Sequence, residues 1–274
     1  MQSASDETLK SSVRDFWDAK SCGEVYASGE SERQYYESHA QQRYQLEPYI
    51  CDFARFQDAI GKDVLEIGVG MGADHAQWAK AQPRSLTGVD LTPRAVTHTR
   101  RRLELLGLRS DVKVADAENL PFAENSFDLV YSWGVLHHSP NTQKTLDEVY
   151  RVLRHGGAAR IAIYHKYSLV GYMLWLRYAL LVGRPFRSLR YIYANYLESP
   201  GTKAFSIREA SQMCRRFSAS NITTRLSFGD MLEGAVGQRH SGMLLRIVKA
   251  LWPRWLLKRL FRRHGLYLLI EAVK

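Results

Sequence analysis

Between Asp63 and His165 short apolar runs alternate five times with helical stretches, and this alternation constrains the fold more than any other feature. DVLEIGVG is a compact apolar run ending in glycines, as a buried parallel strand does on entering a binding turn. ADHAQWAKA follows as a helix and SLTGVDL as a second strand. TPRAVTHTRRRLELLG reads as a helix with Thr92 as N-cap, Pro93 at its first position and Gly107 at its end. VKVADAENL supplies a third strand and its loop, and FDLVYSWGVLHH a fourth strand and its exit. TQKTLDEVYRVLRHGG is a helix and AARIAIYH a fifth strand. Such alternation predicts a doubly wound α/β sheet whose right-handed crossovers bring the strand C-termini to one edge.

The flanks have a different texture. Residues 1–60 read as an N-terminal helical lid dense in aromatic side chains, divided by Gly23, Gly29 and Pro48. Residues 61–165 form the alternating core, and 166–205 a helical cap inserted after strand five. Residues 206–274 resume with a capping box at Ser206 and Glu209, a sixth strand in NITTRLSF and a seventh in GLYLLIEAVK. The expectation is a mostly parallel seven-stranded sheet. Within the last part, residues 246–263 form a basic amphipathic segment that Pro253 should kink.

Charge is unevenly distributed. Up to residue 165, 19 Lys and Arg stand against 23 Asp and Glu, a net of −4; beyond it 19 stand against 5, a net of +14. A basic surface of this kind suits an anionic membrane, an anionic substrate or nucleic acid. No nucleic-acid-binding module is visible, so nucleic acid is the disfavoured partner. The N-terminus lacks the apolar stretch of a secretory signal, and the most apolar window, Tyr167–Gly183, is short for a bilayer span and contains Arg177. The scattered cysteines Cys22, Cys51 and Cys214 read as free thiols, which suits a cytoplasmic enzyme.

The turn after strand one, Glu66-Ile67-Gly68-Val69-Gly70-Met71-Gly72-Ala73, satisfies a dinucleotide fingerprint and a methyl-donor site equally. Asp90, at the end of strand two, can accept both hydroxyls of a ribose in either case. Asp116, at the end of strand three, can accept from an adenine amino group. A proline-containing loop, a Phe-Asp-apolar strand, Ser132, Trp133 and a His pair follow it.

In order and register, VLEIGVGMG, TGVDLT, ADAENLPFAENSFDLVYSWGVLHH and EVYRVLRHGG resemble the class I S-adenosylmethionine-dependent methyltransferases. The likeness is to the small-molecule group that includes the ubiquinone and menaquinone C-methyltransferases. It covers about residues 62–165 and implies a Rossmann-like methyltransferase fold with S-adenosylmethionine as cofactor and S-adenosylhomocysteine as product. It implies further that Gly68 and Gly70 admit the methionine part of the cofactor, with Glu66 buried beside it. Asp90 would hold the ribose, Leu91 lie against adenine, and Asp116 and Ala117 read the adenine edge. Ser132 or Trp133 would close over the sulfonium end. His155 stands where the family often has proline, at a turn remote from this chemistry.

An activated methyl group needs an acceptor aligned behind it and a base only when the acceptor carries a proton. His137, and after it His138, are the candidate bases, with a positioning role as the alternative for both. No metal-ligand spacing is visible, so no metal is expected. The acceptor is expected to be a small natural-product-like or quinone-like molecule, with a lipid at a membrane surface as the alternative. Candidates to line its pocket are Tyr26, Tyr35, Tyr36 and Arg43 from the lid and Tyr172 and Trp175 from the insertion, although such aromatics also serve simply to pack helices on a sheet. The acceptor's identity, the atom methylated and the oligomeric state are not legible in the sequence. The segment at 246–263 would either pack its apolar face on the sheet edge or make peripheral contact with an anionic membrane.

Overall fold

The computed structural model describes residues 4–233 and 252–274. Seven strands form one sheet: β1 (Asp63–Ile67), β2 (Ser85–Asp90), β3 (Asp111–Val114), β4 (Phe127–Trp133), β5 (Leu153–Tyr164), β6 (Ala219–Arg225) and β7 (Tyr267–Val273). Their order is β3-β2-β1-β4-β5-β7-β6, with β1 to β5 parallel and β7 antiparallel to both of its neighbours. The order reverses beside β1, where a doubly wound sheet opens its crevice. This is the expected α/β class, seven-stranded and mostly parallel.

Strand periodicity sorts the core into two layers. Along β4, Leu129, Tyr131 and Trp133 face one layer with Val64, Trp78 and Ile192, while Val130 faces the other with Leu65, Leu146, Val149 and Ile161. The crossover helices are α4 (Ala73–Lys80), α5 (Pro93–Leu105) and α6 (Thr142–Val152). Thr92 caps α5 with Pro93 inside its first turn, as its sequence predicts. The helix before β5 is shorter than expected. Leu153 already has extended dihedrals and pairs with Phe127, so the strand begins before the Gly156-Gly157 turn instead of after it.

Three helices precede the sheet: α1 (Ala4–Ala19), α2 (Glu32–Leu46) and α3 (Tyr49–Ala54). Salt bridges from Arg94 to Glu24 and from Arg101 to Glu32 tie this region to α5. The insertion carries α7 (Leu169–Trp175), a π-helical turn (Leu176–Leu180) and α8 (Leu189–Tyr196). It is a closed excursion, because His165 and Phe205 pair where it leaves and returns. α9 (Ile207–Met213) starts with the expected Ser206–Glu209 capping box. α10 (Arg254–Leu260) precedes β7 and follows Pro253. Residues 246–251 of the basic segment lie outside the described residues.

Candidate active site

One cavity of about 570 Å³ runs along the C-terminal edge of the sheet. Its floor is the glycine turn. Gly68, at φ 85°, has no room for a β-carbon, which would lie 2.1 Å from Val135 Cγ2. Gly72, at φ 73°, brings α4 against α5 so closely that a β-carbon would meet Thr99 Oγ1 at 2.9 Å. Gly70 N donates to Asp90 Oδ2 at 3.1 Å, while Asp90 Oδ1 accepts from Thr92 N and Oγ1. Burial raises the Asp90 carboxyl above its ordinary range, against the pull of these hydrogen bonds. Gly68, Gly70, Asp90, Leu91 and Ala117 all line the cavity.

Glu66 sits at the end of β1 in a buried relay. Ser110 Oγ donates to Leu86 O at 2.8 Å, so in its 2.7 Å contact with His75 Nε2 the hydroxyl accepts. His75 is neutral, its pKa pushed down to about 3 by burial, and its Nδ1 therefore accepts from Glu66 Oε2 at 2.9 Å. Glu66 is thus a neutral acid, in agreement with burial and the nearby Asp74 charge holding its carboxyl well above the usual range.

Just past β3, Asp116 is engaged by α1. Lys10 Nζ donates to Asp116 Oδ2 at 2.6 Å and to Glu118 Oε2 at 3.1 Å. Lys10, Val13 and Trp17 follow helical spacing on α1, and all three line the cavity, so α1 lies along it. The sequence names Asp116 as a reader of adenine and has no signal for Lys10, which lies 106 residues away.

Arg43 has a clear structural task. Its guanidinium grips Asp74 through Nε at 2.9 Å and NH2 at 2.6 Å, and Tyr44 and Tyr131 donate to the same carboxylate. Asp74 is buried on α4; burial opposes its ionisation, yet Arg43 and the two hydroxyls hold its pKa below the ordinary value. Arg43 therefore fastens α2 to the core while lining the cavity.

Beyond the glycine turn the cavity is walled by Trp17, Trp133, His138, Tyr164, Glu198 and Tyr267. Tyr164 OH donates to Glu198 Oε2 at 2.7 Å. His138 Nδ1 is held by Ser199 Oγ at 2.8 Å and Thr202 Oγ1 at 3.2 Å, and its Nε2 lies 3.5 Å from Glu198 Oε2. Burial, then the Lys203 charge, pushes His138 down to about 3, so the ring is neutral. His137 is placed differently from its sequence expectation. It does not line the cavity; it is fully buried against Tyr164, ring centroids 3.9 Å apart, with neither nitrogen hydrogen-bonded. Among the described residues His137, His138 and Glu198 are also the one group that could hold a metal, their ligand atoms lying within 4.8 Å of one another. Sequence spacing gives no hint of this set, because Glu198 arrives from the insertion.

Several other candidates stand away from the cavity. Ser132 Oγ donates to Ile67 O and ties β4 to β1. Tyr36 OH bonds His98, Tyr35 contacts Glu24, Tyr172 OH bonds His264, and Trp175 Nε1 donates to Arg187 O. Tyr26 does line the cavity, as do Val170, Met173, Leu174, Leu181, Leu197 and Leu232, which form its apolar arm.

Fold and site thus define an α/β domain of the class I methyltransferase architecture, and residues 65–161 match the family model described as a methyltransferase domain. Over 98 residues the chain is 41% identical to the phthiotriol/phenolphthiotriol dimycocerosates methyltransferase of Mycobacterium leprae, covering 35% of this chain and 36% of that one. Over 122 residues it is 37% identical to the fatty-acid O-methyltransferase of Mycolicibacterium smegmatis, covering 44% and 43%. These matches span less than half the length of either relative. Among solved structures, phospholethanolamine N-methyltransferase 2 of Haemonchus contortus aligns with a TM-score of 0.60 at 18% identity, over 96% of this chain and 60% of that one, which shows a shared fold.

Proposed function

We propose that the chain is an S-adenosylmethionine-dependent methyltransferase acting on a lipid-like acceptor that carries a methylatable hydroxyl or carboxyl group. The carrying observation is one cavity that the glycine turn and Asp90, polar side chains such as His138 and Glu198, and apolar side chains of the insertion line together. The residues suit the cofactor. Gly68 and Gly70 leave backbone open to it, Asp90 offers a carboxylate to a ribose, and Leu91 and Ala117 offer apolar contact to a base. Two relatives named above act, by their names, on phthiotriol or phenolphthiotriol dimycocerosates and on a fatty acid. Tyr172 and Trp175, expected to line the acceptor pocket, hydrogen-bond to other partners instead.

When bound, S-adenosylmethionine supplies an activated methyl group. The chain's own contribution is orientation, exclusion of water and handling of one proton. The lid supplies exclusion, with Lys10, Val13 and Trp17 of α1 along the cavity. Glu198, which lines the cavity and whose Oε2 accepts from Tyr164 and lies 3.5 Å from His138 Nε2, takes the proton of a hydroxyl acceptor, while the neutral His138 ring positions it.

Incubating the protein with methyl-labelled S-adenosylmethionine and a total lipid extract tests the acceptor class. Label should pass into the organic phase. Transfer to water-soluble acceptors alone would contradict the lipid assignment.

A further inference from the structure

The mouth of the cavity carries a surface that the transfer reaction does not require. After α7 the chain makes the π-helical turn Leu176–Leu180 and a short loop, leaving Leu180, Leu181, Val182 and Phe186 in solvent. Leu181 is 71% exposed and Phe186 fully so. Leu176, Arg177 and Leu181 are exposed or partly exposed and also line the cavity, so the cavity opens at this protrusion. Arg177, Arg184, Arg187 and Arg190 surround it, and no Asp or Glu occurs from residue 166 to 197.

A second protrusion flanks the same mouth. Trp252 lines the cavity, and Leu257 of α10 is buried with Leu169 of α7 and Met231. That anchoring leaves Trp255, 72% exposed, and Leu260 facing outward among Arg254, Lys258, Arg259, Arg262 and Arg263. Residues 252–270 contain no Asp or Glu. Within the described residues 252–263, Leu257 packs inward while Trp255 and Leu260 stand outward with cations.

We propose that these two protrusions dock the protein on an anionic phospholipid bilayer, so that the cavity mouth meets the membrane from which a lipid acceptor enters. The inference rests on the lipid-acceptor reading above. Exposed apolar clusters on a folded chain mark interaction surfaces. Apolar tips flanked mainly by cations, with Glu233 beside Lys258 as an acidic neighbour of the second, match a surface with an apolar interior and anionic headgroups, where Trp and Phe sit at the interface and Lys and Arg meet phosphate. A protein partner would need an acidic rim around an apolar hollow; a bilayer supplies both features over any area. No helix among the described residues is long and apolar enough to cross a membrane.

Flotation of the full chain with phosphatidylcholine vesicles, with and without phosphatidylglycerol, tests the proposal. Binding should be about tenfold stronger with phosphatidylglycerol at low salt and fall at high salt. Val182→Asp with Phe186→Asp, and separately Trp255→Ser, should each reduce binding severalfold while S-adenosylhomocysteine affinity stays at the wild-type value, which reports an intact fold. Absence of vesicle binding at low salt, or undiminished binding by the variants, would overturn it. So would a dimer in solution that the same variants dissolve, since the face would then be an interface between copies. Vesicle binding without any methyl transfer would instead remove the proposed activity and leave the docking surface standing.

Discussion

Replacing Asp74 with alanine is expected to lower stability by about 3–5 kcal/mol, because it strands a largely buried guanidinium and two tyrosine hydroxyls. For a chain of this size that corresponds to a fall in melting temperature of roughly 6–20 °C. The carboxylate receives two hydrogen bonds from Arg43 and one each from Tyr44 and Tyr131, joining α2, α4 and β4 at one point. Arg43→Met alone should also destabilise, since it leaves Asp74 charged and buried. The double variant should cost clearly less than the two single variants added together, which is the signature of a direct pair. Calorimetric melting of the four proteins checks this, and an Asp74→Ala shift below about 2 °C would show that the pair contributes little.

The largest effect on activity is expected at His138. His138→Ala should reduce turnover by about 10²-fold with little change in cofactor affinity, because it loosens Glu198. His137→Phe should leave turnover close to wild type, because an apolar ring replaces one whose two nitrogens have no hydrogen-bond partner. The pH dependence separates this from an ordinary histidine. Burial favours the neutral ring and moves its folded pKa down to about 3, so the ring stays neutral as pH falls through 6.5. Activity should therefore show no acidic limb near pH 6.5 from this group. A folded His138→Ala variant with wild-type turnover would remove its positioning role.

The sequence is most legible where structure is local. Alternating apolar runs mark the strands, Thr92 and the Ser206–Glu209 box mark helix starts, and Gly68, Gly70 and Gly72 mark the turn beneath the cavity. Each depends on residues within one or two turns of chain. The features missed depend on chain brought together from far apart. Lys10 meets Asp116 across 106 residues and Arg43 meets Asp74 across 31, and no periodicity encodes either pairing. Glu198 reaches His138 only because the insertion returns beside β5. The neighbours His137 and His138 occupy one 3₁₀ turn with their ring centroids 4.2 Å apart, so their motif could not say which of them lines the cavity. The aromatic density of the lid and insertion reports burial without reporting where. Tyr26 reaches the cavity, whereas Tyr35, Tyr36, Tyr172 and Trp175 make other contacts.

The central claim is that the glycine turn, Asp90 and the edge at Asp116 form a site for a methyl donor and not for a nicotinamide dinucleotide. Isothermal titration of the full chain with S-adenosylhomocysteine and, separately, with NAD measures this directly. The account predicts saturable one-to-one binding of S-adenosylhomocysteine and no heat from NAD. Tight binding of NAD with no response to S-adenosylhomocysteine would contradict it.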